Sequence, residues 1–175
     1  ISVTSINPNT TFPETYNWSL GFQKKLPFEA LLDINYVATQ GRHLLRRPET
    51  NGVDPEIYAR NTTSNLNAMR PYQGYTNIFL YEGSASSSYH GLQMGLTRRY
   101  AKKLTLSASY TFSKALTDAS DQNANVEDSD DYNNERGHAV FDRNHIFTAS
   151  YVYDLPFLQG GKQWYRRAFG GWAGL

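Results

Sequence analysis

The sequence predicts an all-β fold, an antiparallel up-and-down meander forming part of a transmembrane β-barrel. Three observations carry this. Apolar and polar residues alternate with a period of two in successive runs. The connections between the runs alternate between short and very long. Aromatic residues make up 14% of the chain, with 13 Tyr, 9 Phe and 3 Trp, and aromatic side chains collect where a barrel meets the two membrane interfaces.

The first run places Tyr16, Trp18, Leu20 and Phe22 on one face and Asn17, Ser19, Gly21 and Gln23 on the other, because successive residues of a strand point to opposite sides. Lys24-Lys25-Leu26-Pro27 then ends it, since proline cannot continue a ladder. A second run starts at Phe28. Ala30, Leu32, Ile34 and Tyr36 share its apolar face, Asp33 and Asn35 lie opposite, and the run fades near Gln40-Gly41. Residues 42–88 are rich in Asn, Thr, Ser, Pro and Gly and read as an irregular loop, with a β-prone island at Tyr75–Glu82 that must stay within the loop. The third run, Tyr89–Tyr100, sets Leu92, Met94 and Leu96 against Gln93, Gly95 and Thr97. A tight turn at Ala101-Lys102-Lys103 leads to the cleanest alternation in the chain. There Leu104, Leu106, Ala108, Tyr110 and Phe112 oppose Thr105, Ser107, Ser109, Thr111 and Ser113. Residues 114–143 are polar and acidic without periodicity. The fifth run, His145–Leu155, carries Phe147, Ala149, Tyr151 and Tyr153 on its apolar face, and Gly170-Gly171-Trp172 reads as the opening of a sixth.

Each run is close to the 9–11 residues that a tilted spanning strand needs. If Lys24–Pro27 is a periplasmic turn, both long connections fall on the opposite, extracellular side. Two structureless loops longer than about 15 residues are unusual in a compact soluble domain. A soluble β-sandwich would nevertheless show the same alternation, and remains the rival fold. The chain opens at Ile1 with no signal-peptide pattern, and residues 1–175 are expected to be a partial barrel of about five complete strands plus the start of a sixth.

Composition narrows the function. No window approaches the eighteen consecutive apolar residues of a spanning helix. Cysteine is absent, which removes disulfides, thiolate catalysis and cysteine metal sites. A net charge of +1 gives no electrostatic case for nucleic acid. The four histidines, His43, His90, His138 and His145, lack ligand spacing, so no metal centre or cofactor is expected. The acidic stretch Asp118–Glu135 opens like a calcium loop at Asp121, but Val126 stands where such a loop needs Gly and Tyr132 where it needs Glu, so it reads as a solvated loop. Its carboxylates lie in one run with nothing to set their separation, which argues against a glycosidase pair, and no nucleophile elbow is present. The chain is expected not to be an enzyme.

Several blocks resemble a known family. Ser88-Tyr89-His90-Gly91-Leu92-Gln93, Arg98-Arg99-Tyr100 and Ala108-Ser109-Tyr110-Thr111-Phe112-Ser113-Lys114 are similar to the Oar-like TonB-dependent receptors. So are Arg136-Gly137, Phe141-Asp142-Arg143-Asn144-His145, the stretch from Tyr151 to Pro156, Gly170-Gly171-Trp172, and Arg70-Pro71-Tyr72 with Gly74-Tyr75. The resemblance runs from about Asn17 to the end. It implies a barrel of roughly 22 strands in the outer membrane, filled by a plug that contacts TonB. Neither plug nor signal peptide is seen in these residues.

On that reading the lumen-facing residues are Asn17, Ser19, Gln23, Asp33, Asn35, Gln93, Thr97, Thr105, Ser107, Ser109 and Thr111. Those facing lipid are Trp18, Leu20, Leu32, Ile34, Leu92, Leu96, Leu106 and Tyr151. The expected partners are outer-membrane lipid and lipopolysaccharide, TonB through the plug, and a transported ligand such as a siderophore, oligosaccharide or peptide. Arg42, His43, Arg46 and Arg47, just beyond the second run, are candidates to meet lipopolysaccharide phosphates. A plug-less porin or adhesin barrel and a soluble carbohydrate-binding sandwich are the alternatives.

Overall fold

The computed structural model describes residues 1–60, 65–101, 104–119, 121, 135–154 and 173–174. Its elements in chain order are β1 (Val3–Ile6), β2 (Glu14–Leu26), β3 (Ala30–Arg46), α1 (Pro55–Arg60), β4 (Ile78–Ala101), β5 (Leu104–Thr117), β6 (Gly137–His138), β7 (His145–Asp154) and β8 (Ala173–Gly174). The sheet runs β2-β3-β4-β5-β7-β8, with β1 attached to β4 and β6 to β5. Apart from those two short additions, each strand lies beside its neighbours in the chain, as in an up-and-down meander. The β5–β7 and β7–β8 pairs are antiparallel.

The strands outrun the expected 9–11 residues. β2, β3, β4 and β5 have 13, 17, 24 and 14 residues, and only β7, with 10, stays within that range. The island at Tyr75–Glu82 is not a separate piece: Ile78 onward is the leading part of β4. The connection between β3 and β4 therefore shortens to residues 47–77, with α1 inside it. The Ser- and Gly-rich sequence of residues 83–88 hides the continuity, because these residues lack the β-branched and aromatic side chains by which strands are recognised. At the first turn, Lys24–Leu26 stay in β2 and Phe28 belongs to the turn, not to the next strand. Phe28 and Glu29 take left-handed φ angles of 64° and 59°, which continue no ladder.

The chain divides into two compact units. The first comprises Ile1–Asn17, Thr39–Tyr89 and Ala115–Asp142. Here β1 pairs in parallel with the start of β4, Val3 to Ile78 through Ile6 to Tyr81. The same β4 residues are held by residues 48–50: Leu80 donates to the Pro48 carbonyl and Thr50 to that of Ile78. Asn51, fully buried, fastens the following loop. Its amide nitrogen donates to the carbonyls of Tyr72, Tyr75 and Thr76, and its oxygen accepts from the Tyr72 N–H. One polar side chain thus satisfies several backbone groups of a segment that has no ladder of its own.

Gly83 lets the chain cross here. Its N–H donates to the Thr10 hydroxyl, and a Cβ at this position would strike the Thr11 carbonyl and lie 3.0 Å from that of His43. Gly83→Ala is expected to destabilise the protein by about 1–3 kcal/mol through overpacking, measured as a lowered urea midpoint of the detergent-folded protein. An unchanged midpoint would show that the crossing has slack.

The second unit comprises Trp18–Ala38, His90–Lys114 and Arg143–Leu175. Its strand segments are residues 18–26, 30–38, 90–101, 104–114 and 145–154, nine to twelve residues each. These lengths match the 9–11 residues of a spanning strand in a way the complete strands do not.

Candidate functional site

The second unit is two-faced. On its polar face the Gln23 amide donates to Asp33 Oδ1 at 2.7 Å. A Cβ on Gly21 would collide with the Asn35 side chain, and one on Gly95 would sit 3.8 Å from Asp33 Cβ. Gln23, Asp33, Asn35 and the Gln93–Thr97 row of β4 therefore share a side. In β5 the same face pairs Ser107 with Ser150 and Ser109 with Thr148, whose hydroxyls lie 2.8 Å apart. Thr105 and Thr111 lie opposite Val152 and Ile146, so this face is less uniformly polar on β7. In the first unit Asn17 accepts from the Thr39 hydroxyl at 2.8 Å. Toward the first turn, Lys25, Glu29, Asp33, Thr97 and Arg99 line a cavity of about 770 Å³, with two cations and two carboxylates among them.

The opposite face is apolar and open. Trp18, Leu20, Phe22, Phe147 and Tyr151 are 47–69% exposed. Leu106 pairs with Tyr151, Ala108 with Ala149, and Leu104 with Tyr153. Burying so many large side chains would be strongly favourable, at about 25 cal/mol per Å² of apolar surface, yet the chain leaves them outside. A contiguous apolar surface of this kind marks an interaction with lipid or protein.

At the end of this face away from the first turn stand two matching pairs of rings. The Tyr36 hydroxyl and His90 Nδ1 are 2.7 Å apart, with stacked rings 6.2 Å between centroids, and Trp18 meets His90 edge-on. The Tyr110 hydroxyl and His145 Nδ1 are 2.8 Å apart, with stacked rings at 6.1 Å, and Phe112 packs on His145 at 5.0 Å. In each pair the imidazole supplies a partner for a phenol hydroxyl that an apolar setting would otherwise strand. In the sequence these histidines are scattered and show no ligand spacing. Continuing the alternation one step back from Leu92 and from Phe147 would have placed both on the apolar face.

The structure corrects the placement of the basic cluster expected just beyond the second run. Strand β3 continues through it to Arg46. Arg46 is fully buried and pairs with Asp118 at 3.3 Å while donating to the Ser84 carbonyl. A buried guanidinium held by a carboxylate is out of reach of lipopolysaccharide. Arg47 lies 4.4 Å over the Phe79 ring, and His43 takes a left-handed φ of 53°; only Arg42 of the four is exposed. Asp118 is correspondingly not part of a solvated acidic loop. It also accepts from the Ser86 N–H at 2.6 Å and hydroxyl at 2.8 Å, and Arg136 donates to the hydroxyls of Ser86 and Ser88. The candidate calcium residues 122–134 lie outside the described residues. Among those described, no group of three or more His, Asp or Glu residues is arranged to hold a metal ion. No described helix is long and apolar enough to cross a membrane.

Comparison with known proteins gives one family. A family model described as "Outer membrane beta barrel domain" matches residues 1–174. No curated protein and no solved structure matches.

Proposed function

The chain belongs to the outer membrane β-barrel domain family, and from that premise we propose that it is a wall segment of a TonB-dependent transporter that carries a substrate across the outer membrane. Membership places the chain in the outer membrane and sets aside the soluble sandwich. The observation that supports a barrel wall is the division of the second unit into a hydrogen-bonded polar face and an open apolar face over strand segments of spanning length. Lipid covers the apolar face; the polar face lines a wet lumen, as in barrels built for passage. The sequence blocks that resemble those of Oar-like receptors favour energised transport over a plain pore. On this reading the strand ends at Arg46, Ile78, Thr117 and His145 open toward the cell exterior, and the first turn, residues 27–29, faces the periplasm.

Among the described residues β2 and β8 each have a single neighbour in the strand order. Such edges need partners, and we assign them to further strands of a larger barrel. Function on this reading is binding and passage without covalent chemistry, for a siderophore, oligosaccharide or peptide. The test is uptake of radiolabelled ferric siderophores, maltodextrins and short peptides by cells producing the intact protein, with and without functional TonB. Uptake of one class that vanishes without TonB is expected. Uptake indifferent to TonB would favour the plug-less porin.

A further inference from the structure

We infer that Lys114 and His145, the latter positioned by Tyr110, form a binding site for the phosphate of an outer-leaflet lipid headgroup. The inference rests on the outer-membrane placement and on the orientation given above, but not on the identity of the transported substrate.

Height on the wall is the first argument. The β5–β7 register runs from Leu104↔Tyr153 to Phe112↔His145. That is eight residues, or about 27 Å along the strand at roughly 3.4 Å per residue. With a tilt of about 40°, the row of Phe112 and His145 stands roughly 20 Å above the lower rim, near the top of the ~25 Å apolar band of a barrel. Lys114, two residues further on the same face and exposed, clears the band. The long connections leave from this end, so the site looks onto the outer leaflet, at the level where headgroup phosphates lie.

Chemistry is the second argument. Lys114 and His145 are diagonal neighbours on adjacent strands, about 7–8 Å apart and somewhat less between Cβ atoms, a spacing that one phosphate can bridge. A hydroxyl of Tyr110 that donates to Nδ1 leaves His145 with its proton on Nε2, and the exposed ring can give that N–H to a phosphate oxygen. Lys114 supplies the charge, and among the described residues no carboxylate forms an ion pair with it. The Phe112 ring packed against His145 gives the imidazole an apolar seat above the acyl chains. At the matching position, Tyr36 and His90 repeat the imidazole arrangement without a lysine in the same place, which supplies an internal control.

The experiment uses the intact protein in phosphatidylcholine nanodiscs doped with bis-phosphorylated lipid A or with its dephosphorylated form, read by native mass spectrometry. The phosphorylated lipid is expected to be retained at least tenfold more than the dephosphorylated one. Lys114→Gln, at an exposed position, is expected to lower retention about fivefold, and Lys114→Gln with His145→Phe to abolish the preference while keeping an aromatic ring at the rim. His90→Phe is expected to lower it less than His145→Phe. Equal retention of both lipids, or no change in the double variant, would overturn the site and reduce these residues to the aromatic collar. Displacement of lipid A by millimolar inorganic phosphate would overturn the lipid as its source. A protein that retains lipid A but transports nothing in the uptake assay leaves this site standing and removes the transporter reading alone.

Discussion

Ala108→Arg is expected to destabilise the intact protein by about 2–4 kcal/mol, the largest effect of any charge placed on this wall. Ala108 pairs with Ala149 at the centre of the β5–β7 register, with four pairs on either side. It is thus nearest the middle of the apolar band, where a guanidinium has neither water nor headgroup within reach. Leu106→Arg, one row nearer the periplasmic turn, should cost less from depth alone, because the side chain can extend toward the interface. Ser107→Arg and Ser109→Arg point the other way and are expected to stay within about 0.5 kcal/mol, the usual range of an exposed substitution. Urea titration of the lipid-folded protein, followed by tryptophan fluorescence, gives the four values. If Ser109→Arg proved as damaging as Ala108→Arg, the assignment of the two faces would fail.

The second large effect belongs to the first unit. Asp118→Ala is expected to cost about 3–5 kcal/mol, because it leaves the Arg46 guanidinium buried without its carboxylate. The Arg46 side chain is 1% accessible and that of Asp118 13%, so water cannot readily replace what is lost. Arg46→Met is the informative comparison, since removing the buried charge itself is often far less harmful than stranding it. The expected order, Asp118→Ala well below Arg46→Met in stability, is read from thermal unfolding in detergent. Equal stability of Asp118→Ala and the unaltered protein would mean that the pair opens to solvent.

What could be read from the sequence tracks how regularly each segment alternates. β5 and β7 alternate cleanly, and their pairing follows the expected faces: Leu106 meets Tyr151 and Ser109 meets Thr148. Segments whose side chains are small carried no such signal. Residues 83–91 of β4 are mostly Ser, Gly and Ala, so the alternation shows an island and a shorter strand where the structure has one strand of 24 residues. β1 was missed because four residues suffice only when a partner edge is already in place, and its partner is 75 positions away. Charge alone points Arg46 to the surface; its carboxylate partner Asp118 lies far along the chain, and no local pattern announces such a pair. The histidine rim lay one step beyond runs that were recognised.

The parallel pairing of β1 with β4 has a consequence for the order of assembly. β4 and β5 are separated by only residues 102–103, so their contacts close a short loop, whereas Val3 reaches Ile78. Each doubling of loop length adds about 0.6 kcal/mol of closure entropy, and contacts between distant positions are correspondingly slow to form. The hairpins therefore come first, and Val3–Ile6 lands on an edge that is already built. With four exposed residues, it has little to hold it there. It is the last piece on and the first off, a latch whose opening would bare the leading edge of β4 while the hairpins beyond it stay closed.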